Sequence, residues 1–246
     1  MLDLFVLLGG FILATLLSKV GTSLLHKKAL FSLPSHCLQC KQALPSFNHI
    51  SQMRQLLSPY SCPSCSFHSS PFYPTSELLI TFSIYLAYLQ IGVSWELILG
   101  IGLVIVLALS VLTDMRSGLI LDKVTLPAIA LFAFLRIFIG EHSILFYYLG
   151  AGVGFLLLLL IAVFSRGGMG GGDIKLYTAI GFVLGPWYTL MSLFIASFLA
   201  AICGMALILA KKKSRKESLI FGPFIAFGAF VSYLYGSVIW DWYRQW

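Results

Sequence analysis

The sequence predicts an all-α protein, a polytopic membrane helix bundle of about eight spans with a small cytoplasmic zinc-knuckle segment. Three observations lead to this fold class. The 246 residues are 59% hydrophobic and 10% charged, with a mean hydropathy of +0.94, which is more apolar than a soluble domain tolerates. Apolar runs of about 20 residues, the length that crosses a bilayer as a helix, recur along the chain. A polar segment after the first run contains two Cys-x-x-Cys pairs.

Eight apolar runs account for the predicted spans. They cover residues 4–25, 77–93, 95–114, 124–140, 144–164, 174–187, 187–210 and 219–240. The sixth run is short, and Gly185-Pro186 interrupts the pattern before the seventh begins. The predicted organisation is a first transmembrane span at 1–25, a cytoplasmic segment at 26–76 and a transmembrane core at 77–246.

The lysines and arginines predict the orientation, because basic loops stay on the cytoplasmic side. With eight spans both chain ends lie outside, where only Arg136 and Arg244 are basic. The inner side then holds Lys19, Lys27, Lys28, Lys41, Arg54, Arg116, Lys123, Arg166, Lys175, Lys211, Lys212, Lys213, Arg215 and Lys216. A net charge of +7 spread over short loops indicates topology and no nucleic-acid partner. We expect a multi-pass protein of the cell membrane, surrounded by lipid.

Acidic residues near the apolar runs are the candidates for chemistry, because ionisable groups within a membrane are costly and usually functional. Some acids are expected to be solvated charges at termini or in loops: Asp3, Glu96, Glu141, Glu217 and Asp241. Glu77, Asp114, Asp122 and Asp173 remain. Capping of the following helix is an alternative interpretation for Asp173 and the favoured one for Asp122.

Asp114 and Asp173 are predicted to lie at one depth. Asp114 lies about 30 Å along a helix that starts at Trp95, and Asp173 opens the next inward-facing run, so both fall at the inner membrane edge. Two close carboxylates in a poorly hydrated site share one proton. Such a pair can hydrolyse a peptide, because the ionised partner deprotonates water and the protonated partner protonates the carbonyl oxygen. An intramembrane aspartic protease is the first function hypothesis.

Glycines dominate the stretch before Asp173, which reads Ser165-Arg-Gly-Gly-Met-Gly-Gly-Gly. Residues without side chains let a backbone approach an extended substrate. A phosphate-binding loop would end in Gly-Lys-Ser/Thr, whereas here an acid follows the glycines, so a nucleotide site is disfavoured. Two further glycine pairs, 150 with 154 and 181 with 185, have the GxxxG spacing that permits close helix contact in lipid.

The four cysteines of the polar segment predict a metal site. Cys37 and Cys40 form one pair, and Cys62 and Cys65 form the other. Disulfides are disfavoured in the reducing cytosol, while four thiolates in two knuckles match a tetrahedral structural zinc. A segment of about 50 residues has too little core to fold unaided, and metal binding supplies the missing free energy.

Several motifs occur in the order found in one family. They are Tyr73-Pro-Thr-Ser-Glu77, Thr113-Asp-Met-Arg-Ser-Gly-Leu-Ile-Leu-Asp122, Gly170-Gly-Gly-Asp-Ile-Lys-Leu176 and Phe221-Gly-Pro-Phe-Ile-Ala-Phe-Gly228. With the cysteine knuckles they span nearly the whole chain. The sequence resembles the bacterial type IV prepilin peptidases, which are GxGD intramembrane aspartic proteases, and its compact form resembles the competence-type members.

The resemblance implies a function and its site residues. Asp114 and Asp173 would be the catalytic pair, with Gly170, Gly172 and Lys175 as active-site neighbours. The substrates would be prepilins or pseudopilins, cut on the cytoplasmic side after a short basic leader.

A second activity of such enzymes, N-methylation of the new N-terminus with S-adenosylmethionine, is left open by the sequence. Between Cys40 and Cys62 the chain lacks the Trp, the Asp-Asn pair and the Gly-Arg that many members have, and Asn48, His49 and Gln52 stand in that region.

Two other function classes remain at this point. Membrane carboxylates can also serve a proton- or cation-coupled transporter, although transporters place them near the midplane and these two are expected at the inner edge. A non-enzymatic assembly scaffold would leave the aspartates unexplained.

Overall fold

The computed structural model describes residues 2–26, 72–165, 169–211 and 220–245, which form seven helices. We number them α1 (Leu2–His26), α2 (Phe72–Ile91), α3 (Trp95–Ser117), α4 (Asp122–Phe138), α5 (Ile144–Phe164), α6 (Gly171–Leu209) and α7 (Gly222–Arg244). The described residues contain no strand. The all-α prediction is confirmed. Some residues named above lie outside the described residues: the four zinc-site cysteines, Arg166 and most of the basic cluster after α6.

Membrane-spanning character is confirmed for most of these helices. Within the described ranges, α1, α3, α5, α6 and α7 are long and apolar enough to cross a bilayer, and α2 contains a shorter apolar helix, Thr75–Ile91. The chain is therefore a polytopic helical membrane protein, while the count of eight crossings stays a prediction. Two boundaries matter for the site: α3 continues to Ser117, three residues past its predicted end, and α4 begins at Asp122.

Helix α6 is broken in the middle, at the predicted position. Gly185 has φ 71° and ψ 177°, a conformation outside the helical region that glycine adopts at little cost, and Pro186 follows it. Pro186 has no N–H to donate to the carbonyl of Phe182, four residues earlier. The predicted sixth and seventh runs are thus the two halves of this broken helix.

Arg136 of α4 satisfies the carbonyls that the break releases. Its Nε donates to Phe182 O at 3.2 Å and its Nη2 to Val183 O at 2.5 Å. Its Nη1 forms an ion pair with Glu96 Oε1 at 2.6 Å, and its guanidinium lies 3.9 Å from the centre of the Tyr147 ring. The expectation that Glu96 is a solvated loop charge is wrong, because Glu96 lies in the first turn of α3 and faces this buried arginine.

The chain divides into two compact units, Met1–Leu86 and Ala87–Trp246. In the first unit, Gly10 of α1 lies against α2, where an added Cβ would stand 3.6 Å from Ile84 Cγ2. In the second unit, α6 contacts α3, α4, α5 and α7 and is the central helix.

The predicted close helix contact is confirmed between α5 and α6. A Cβ added to Gly150 would lie 2.5 Å from the Cα of Gly185, and one added to Gly154 would lie 2.6 Å from the carbonyl oxygen of Tyr177. The backbones of α5 and α6 are thus in contact close to the break in α6. This contact supports the first half of α6, the half that contains Asp173.

Candidate active site

Asp114 lies in the last turn of α3. Its side chain is buried, with a relative exposure of 6%, and its main-chain carbonyl accepts the N–H of Gly118 at 2.8 Å. Gly118 adopts a left-handed conformation, with φ 64°, which ends the helix. Helix α3 therefore ends one turn after Asp114. The carboxyl group of Asp114 belongs to a regular helix and not to a loop.

Asp173 lies in the first turn of α6 and is half-buried. Its Oδ2 accepts the N–H of Gly170 at 3.2 Å, and its own N–H donates to Gly170 O at 3.1 Å. Asp173 thus takes part in capping its helix, but as the third helical residue, because the N-cap residue is Gly170. Capping does not exclude chemistry, because Asp173 Oδ1 takes no part in the hydrogen bond to Gly170 and can still exchange a proton.

The structure brings the two carboxylates together. Asp114 and Asp173 lie at the same end of two contacting helices, α3 and α6, and are close enough for direct charge repulsion. Carboxylates in this relationship cannot both ionise readily, so they tend to share one proton. That they catalyse a reaction remains a prediction, which the placement of both acids at one end of α3 and α6 supports.

The short connection between α3 and α4, residues 118–121, links the helix of Asp114 by contact to the helix of Asp173. Its Ile120 lies against the first turn of α6, where a Cβ on Gly172 would stand 2.7 Å from Ile120 O. Only glycine permits this approach of the two backbones. Gly172 therefore has a packing reason to be glycine, independent of any contact with substrate.

Lys175 forms a second contact between α6 and the start of α4. Its Nζ donates to Asp122 Oδ1 at 2.7 Å, and both side chains are partly exposed. The prediction that Asp122 caps α4 is wrong by one position: Leu121 is the N-cap residue and Asp122 the first helical residue. The Asp122 carboxylate is used instead to tie α4 to α6.

A third chain segment reaches the site, which the sequence reasoning missed. The N–H of Gly222, at the start of α7, donates to Asp114 Oδ2 at 2.7 Å. The available signal was the motif Phe221-Gly-Pro-Phe, which was recognised by resemblance without a role for its residues. Residues 108 positions apart meet here, and nothing in local sequence predicts such a pairing.

Glu77, the remaining acid of the four candidates, belongs to the first unit. It is almost fully buried in α2, with 1% relative exposure, beside Ser18 and Lys19 of α1. Within the described part of the chain its Oε1 has no hydrogen-bond partner. The described residues also contain no cluster of three or more His, Cys, Asp or Glu side chains able to hold a metal ion.

Comparison with known proteins agrees with this site. Residues 101–205, which include both aspartates, match the Type IV leader peptidase family, and residues 8–91 match the Bacterial Peptidase A24 N-terminal domain. No solved structure matches the chain.

Three relatives carry the name prepilin leader peptidase/N-methyltransferase. The protein of Bacillus subtilis (strain 168) is 31% identical over 234 residues, covering 95% of this chain and 94% of the relative. The protein of Aeromonas hydrophila is 28% identical over 218 residues, covering 85% and 74%. The protein of Legionella pneumophila is 29% identical over 228 residues, covering 88% and 77%. The transporter alternative gains no support from these matches.

Proposed function

The chain belongs to the type IV leader peptidase family, and we propose that it removes the short basic leader from type IV prepilins or pseudopilins, with Asp114 and Asp173 as its catalytic pair. The observation that carries this proposal is that the two acids lie at the same end of the contacting helices α3 and α6, near enough for their charges to repel. Among the described acids of the second unit, Asp114 is the buried one.

The chemistry follows from one shared proton. The ionised aspartate takes a proton from water as the water oxygen attacks the scissile carbonyl carbon, and the protonated aspartate gives its proton to the carbonyl oxygen. In the resulting diol, the first aspartate passes its proton to the amide nitrogen as the C–N bond breaks. The second aspartate recovers a proton from the diol hydroxyl, so a new amine and a new carboxyl group leave and the pair returns to its starting state.

The site is proposed to face the cytoplasm. Asp114 and Asp173 are each two positions from a basic residue, Arg116 and Lys175, and both of these are among the residues that predict the inner side. A prepilin leader is also cytoplasmic before cleavage, so enzyme and scissile bond would meet at the same membrane edge. The smaller, pseudopilin-like substrates of a competence system are the first to test, because the chain resembles the compact members of its family.

Cleavage of a prepilin-like peptide in membranes tests the proposal. Asp114→Asn and Asp173→Asn should each lower kcat by about 100-fold or more, the usual contribution of a general acid or base. Asp3→Asn, the same change at an exposed acid of α1, should leave the rate unchanged. Full activity of either active-site variant removes that residue from the catalytic pair.

N-methylation of the new N-terminal amine is a second candidate activity. It is favoured by the match of residues 8–91 to the A24 N-terminal domain, a range that includes the cysteine segment. When bound, S-adenosylmethionine would supply the methyl group. Mass spectrometry of the mature product, with and without S-adenosylmethionine, distinguishes a methylated amine from a free one.

A structural zinc ion held by Cys37, Cys40, Cys62 and Cys65 is also proposed. Metal analysis of purified protein should find about one zinc per chain, lost in Cys37→Ser and in Cys62→Ser and kept in Cys203→Ser, since Cys203 is an exposed residue of α6. Equal zinc content in all four proteins excludes the tetrathiolate site.

A further inference from the structure

We infer that Gly222 is a positioning residue that holds Asp114 in its ionised form, so that Asp114 is the base of the pair and Asp173 the acid. The inference rests on the proposed peptidase function and deepens it. It assigns a role to the start of α7, a segment outside both aspartate motifs.

The first observation is that α7 has no cap of its own. Its N-cap residue, Phe221, makes no side-chain cap hydrogen bond, and Pro223 has no N–H. The N–H of Gly222 donates instead to Asp114 Oδ2, at 2.7 Å and in a buried position. A carboxylate at a helix N-terminus meets unsatisfied N–H groups and the positive end of the helix dipole. Asp114 therefore caps α7 from another helix, and this favours its charged form.

The second observation is that position 222 requires glycine. A Cβ added there would lie 2.5 Å from Asp114 Oδ2 and 3.0 Å from Asp114 Cβ. Real Cβ atoms do not approach other atoms so closely, so any side chain would push the aspartate away. The absence of a side chain brings the main-chain N–H within reach of the carboxylate.

The third observation is a difference between the two aspartates. Asp173 accepts one backbone N–H as well, from Gly170, but at 3.2 Å and in an exposed turn. Helix dipoles do not favour a charge on Asp114 over one on Asp173, because Asp173 lies at the positive end of α6, while Asp114 faces the positive end of α7 but also lies in the last turn of α3, where the dipole is negative. The shorter, buried hydrogen bond does favour a charge on Asp114, because a charge-assisted bond is stronger where water is excluded. Of two carboxylates that share one charge, Asp114 keeps it.

The consequence for the reaction is a fixed direction of proton movement. Asp114, with Oδ2 held by Gly222, takes the proton of the attacking water. Asp173 carries the shared proton and delivers it to the carbonyl oxygen of the scissile bond. Before substrate binds, Asp173 is therefore the protonated carboxyl group and Asp114 the ionised one.

Differential labelling of the wild-type protein tests this assignment. An epoxide is opened by an ionised carboxylate oxygen, giving a hydroxy ester after the ring oxygen takes a proton from solvent. A diazo ester is protonated by a carboxylic acid, and the carboxylate then displaces dinitrogen to form an ester. Peptide mapping by mass spectrometry gives the ratio of label on Asp114 to label on Asp173 for each reagent. Because one residue is more accessible to both reagents than the other, each ratio alone is biased, and comparing the two ratios removes this bias.

We expect the ratio of Asp114 to Asp173 labelling to be at least 10-fold higher with the epoxide than with the diazo ester. Equal ratios, or the reverse order, overturn the assignment. Because this comparison uses only wild-type protein, it decides the question even if changes at position 222 prevent folding.

Gly222→Ala tests the part played by the glycine. It should lower kcat by about 100-fold with little change in KM if Gly222 acts through its contact with Asp114. The difference between the two labelling ratios should also disappear. The matched control is Gly152→Ala in α5, where an added Cβ meets nothing within 4 Å. A folded Gly222→Ala protein that keeps the labelling difference excludes Gly222 as its cause.

Failure of this inference can be told from failure of the proposed function. If Asp114→Asn or Asp173→Asn cleaves the peptide at the wild-type rate, the catalytic pair itself is wrong. If both variants are inactive and the labelling ratios are reversed, the pair stands and only the division of roles is overturned.

Discussion

Lys175 Nζ lies 2.7 Å from Asp122 Oδ1, and this ion pair joins α6, the helix that carries Asp173, to the first residue of α4. The two partners are 53 positions apart, and both are partly exposed. An exposed ion pair adds about 0 to 1 kcal/mol to stability, so its importance here is geometric. It holds the start of α4, which follows the helix of Asp114 after a short connection, beside the beginning of α6, where Asp173 lies.

Breaking this pair should impair catalysis more than stability. We expect Asp122→Asn and Lys175→Met each to lower kcat/KM by about 5- to 20-fold and to shift the unfolding midpoint little. The exchange Asp122→Lys with Lys175→Asp should recover part of the loss, because the ion pair can form in reverse. Measurement of peptide cleavage and of thermal unfolding in detergent checks both statements, with Glu141→Gln, an exposed acid, as the control. Additive losses in the exchanged protein would contradict a link between the two residues.

The Ile120 contact predicts a related effect at Gly172. Gly172→Ala places a methyl group 2.7 Å from Ile120 O and 2.8 Å from Ile120 Cβ, so the connection must move away from α6. Since Asp114 is one turn before that connection, we expect kcat/KM to fall about 10-fold or more. Cleavage assays of this variant and of Gly152→Ala in parallel provide the measurement. Wild-type activity in Gly172→Ala would show that the connection can yield without moving either aspartate.

The interaction of Arg136 with the broken helix predicts a large stability effect far from the site. Arg136 is 3% exposed and Glu96 26% exposed, so removing the arginine leaves a largely desolvated carboxylate and two carbonyls without their donor, at a cost of up to about 3 to 5 kcal/mol. We expect Arg136→Met to lower the unfolding free energy by about this amount, because Glu96 and the carbonyls of Phe182 and Val183 lose their donor. Thermal or denaturant unfolding in detergent gives the value.

The control for that experiment is Arg244→Met, the same change at an exposed residue near the chain end. A second variant, with Arg136→Met and Glu96→Gln together, should be more stable than Arg136→Met alone, because no unpaired carboxylate remains. An unfolding midpoint of Arg136→Met equal to that of wild type would rule out a structural role for this arginine.

The contact of α5 with α6 predicts opposite results at two glycines of the same helix. At Gly150 an added Cβ would lie 2.5 Å from Gly185 Cα, so Gly150→Ala must separate two backbones and should cost about 1 to 3 kcal/mol. At Gly152 nothing lies within 4 Å, and Gly152→Ala should be neutral or slightly stabilising through helix propensity. Thermal unfolding of the two variants side by side makes the comparison. Equal midpoints would mean that α5 and α6 can adjust to a methyl group between them.

Much of the fold was predictable because membrane helices are specified locally. The predicted run 144–164 coincides with α5, and the interruption at Gly185-Pro186 falls where α6 breaks. The length of the apolar run determines the bounds of α5. The break in α6 arises because Pro186 has no N–H to donate and Gly185 beside it can leave helical geometry. Boundaries next to polar residues were less certain, as Asp122 shows: a carboxylate before an apolar run looks like a cap, and here it is paired with Lys175.

By itself the sequence determined the class of protein, the order of the helices, the two aspartates as candidates and the resemblance to the type IV leader peptidases. These depend on composition, on the length of apolar runs and on short motifs, all of which are properties of neighbouring residues. Tertiary structure alone decided that Gly222 would meet Asp114, that Arg136 would fill the break in α6 and that Glu96 would be its partner. Those contacts join residues 40 to 108 positions apart. They arise only when helices pack, because a buried polar group in lipid must find its partner on whichever helix stands beside it.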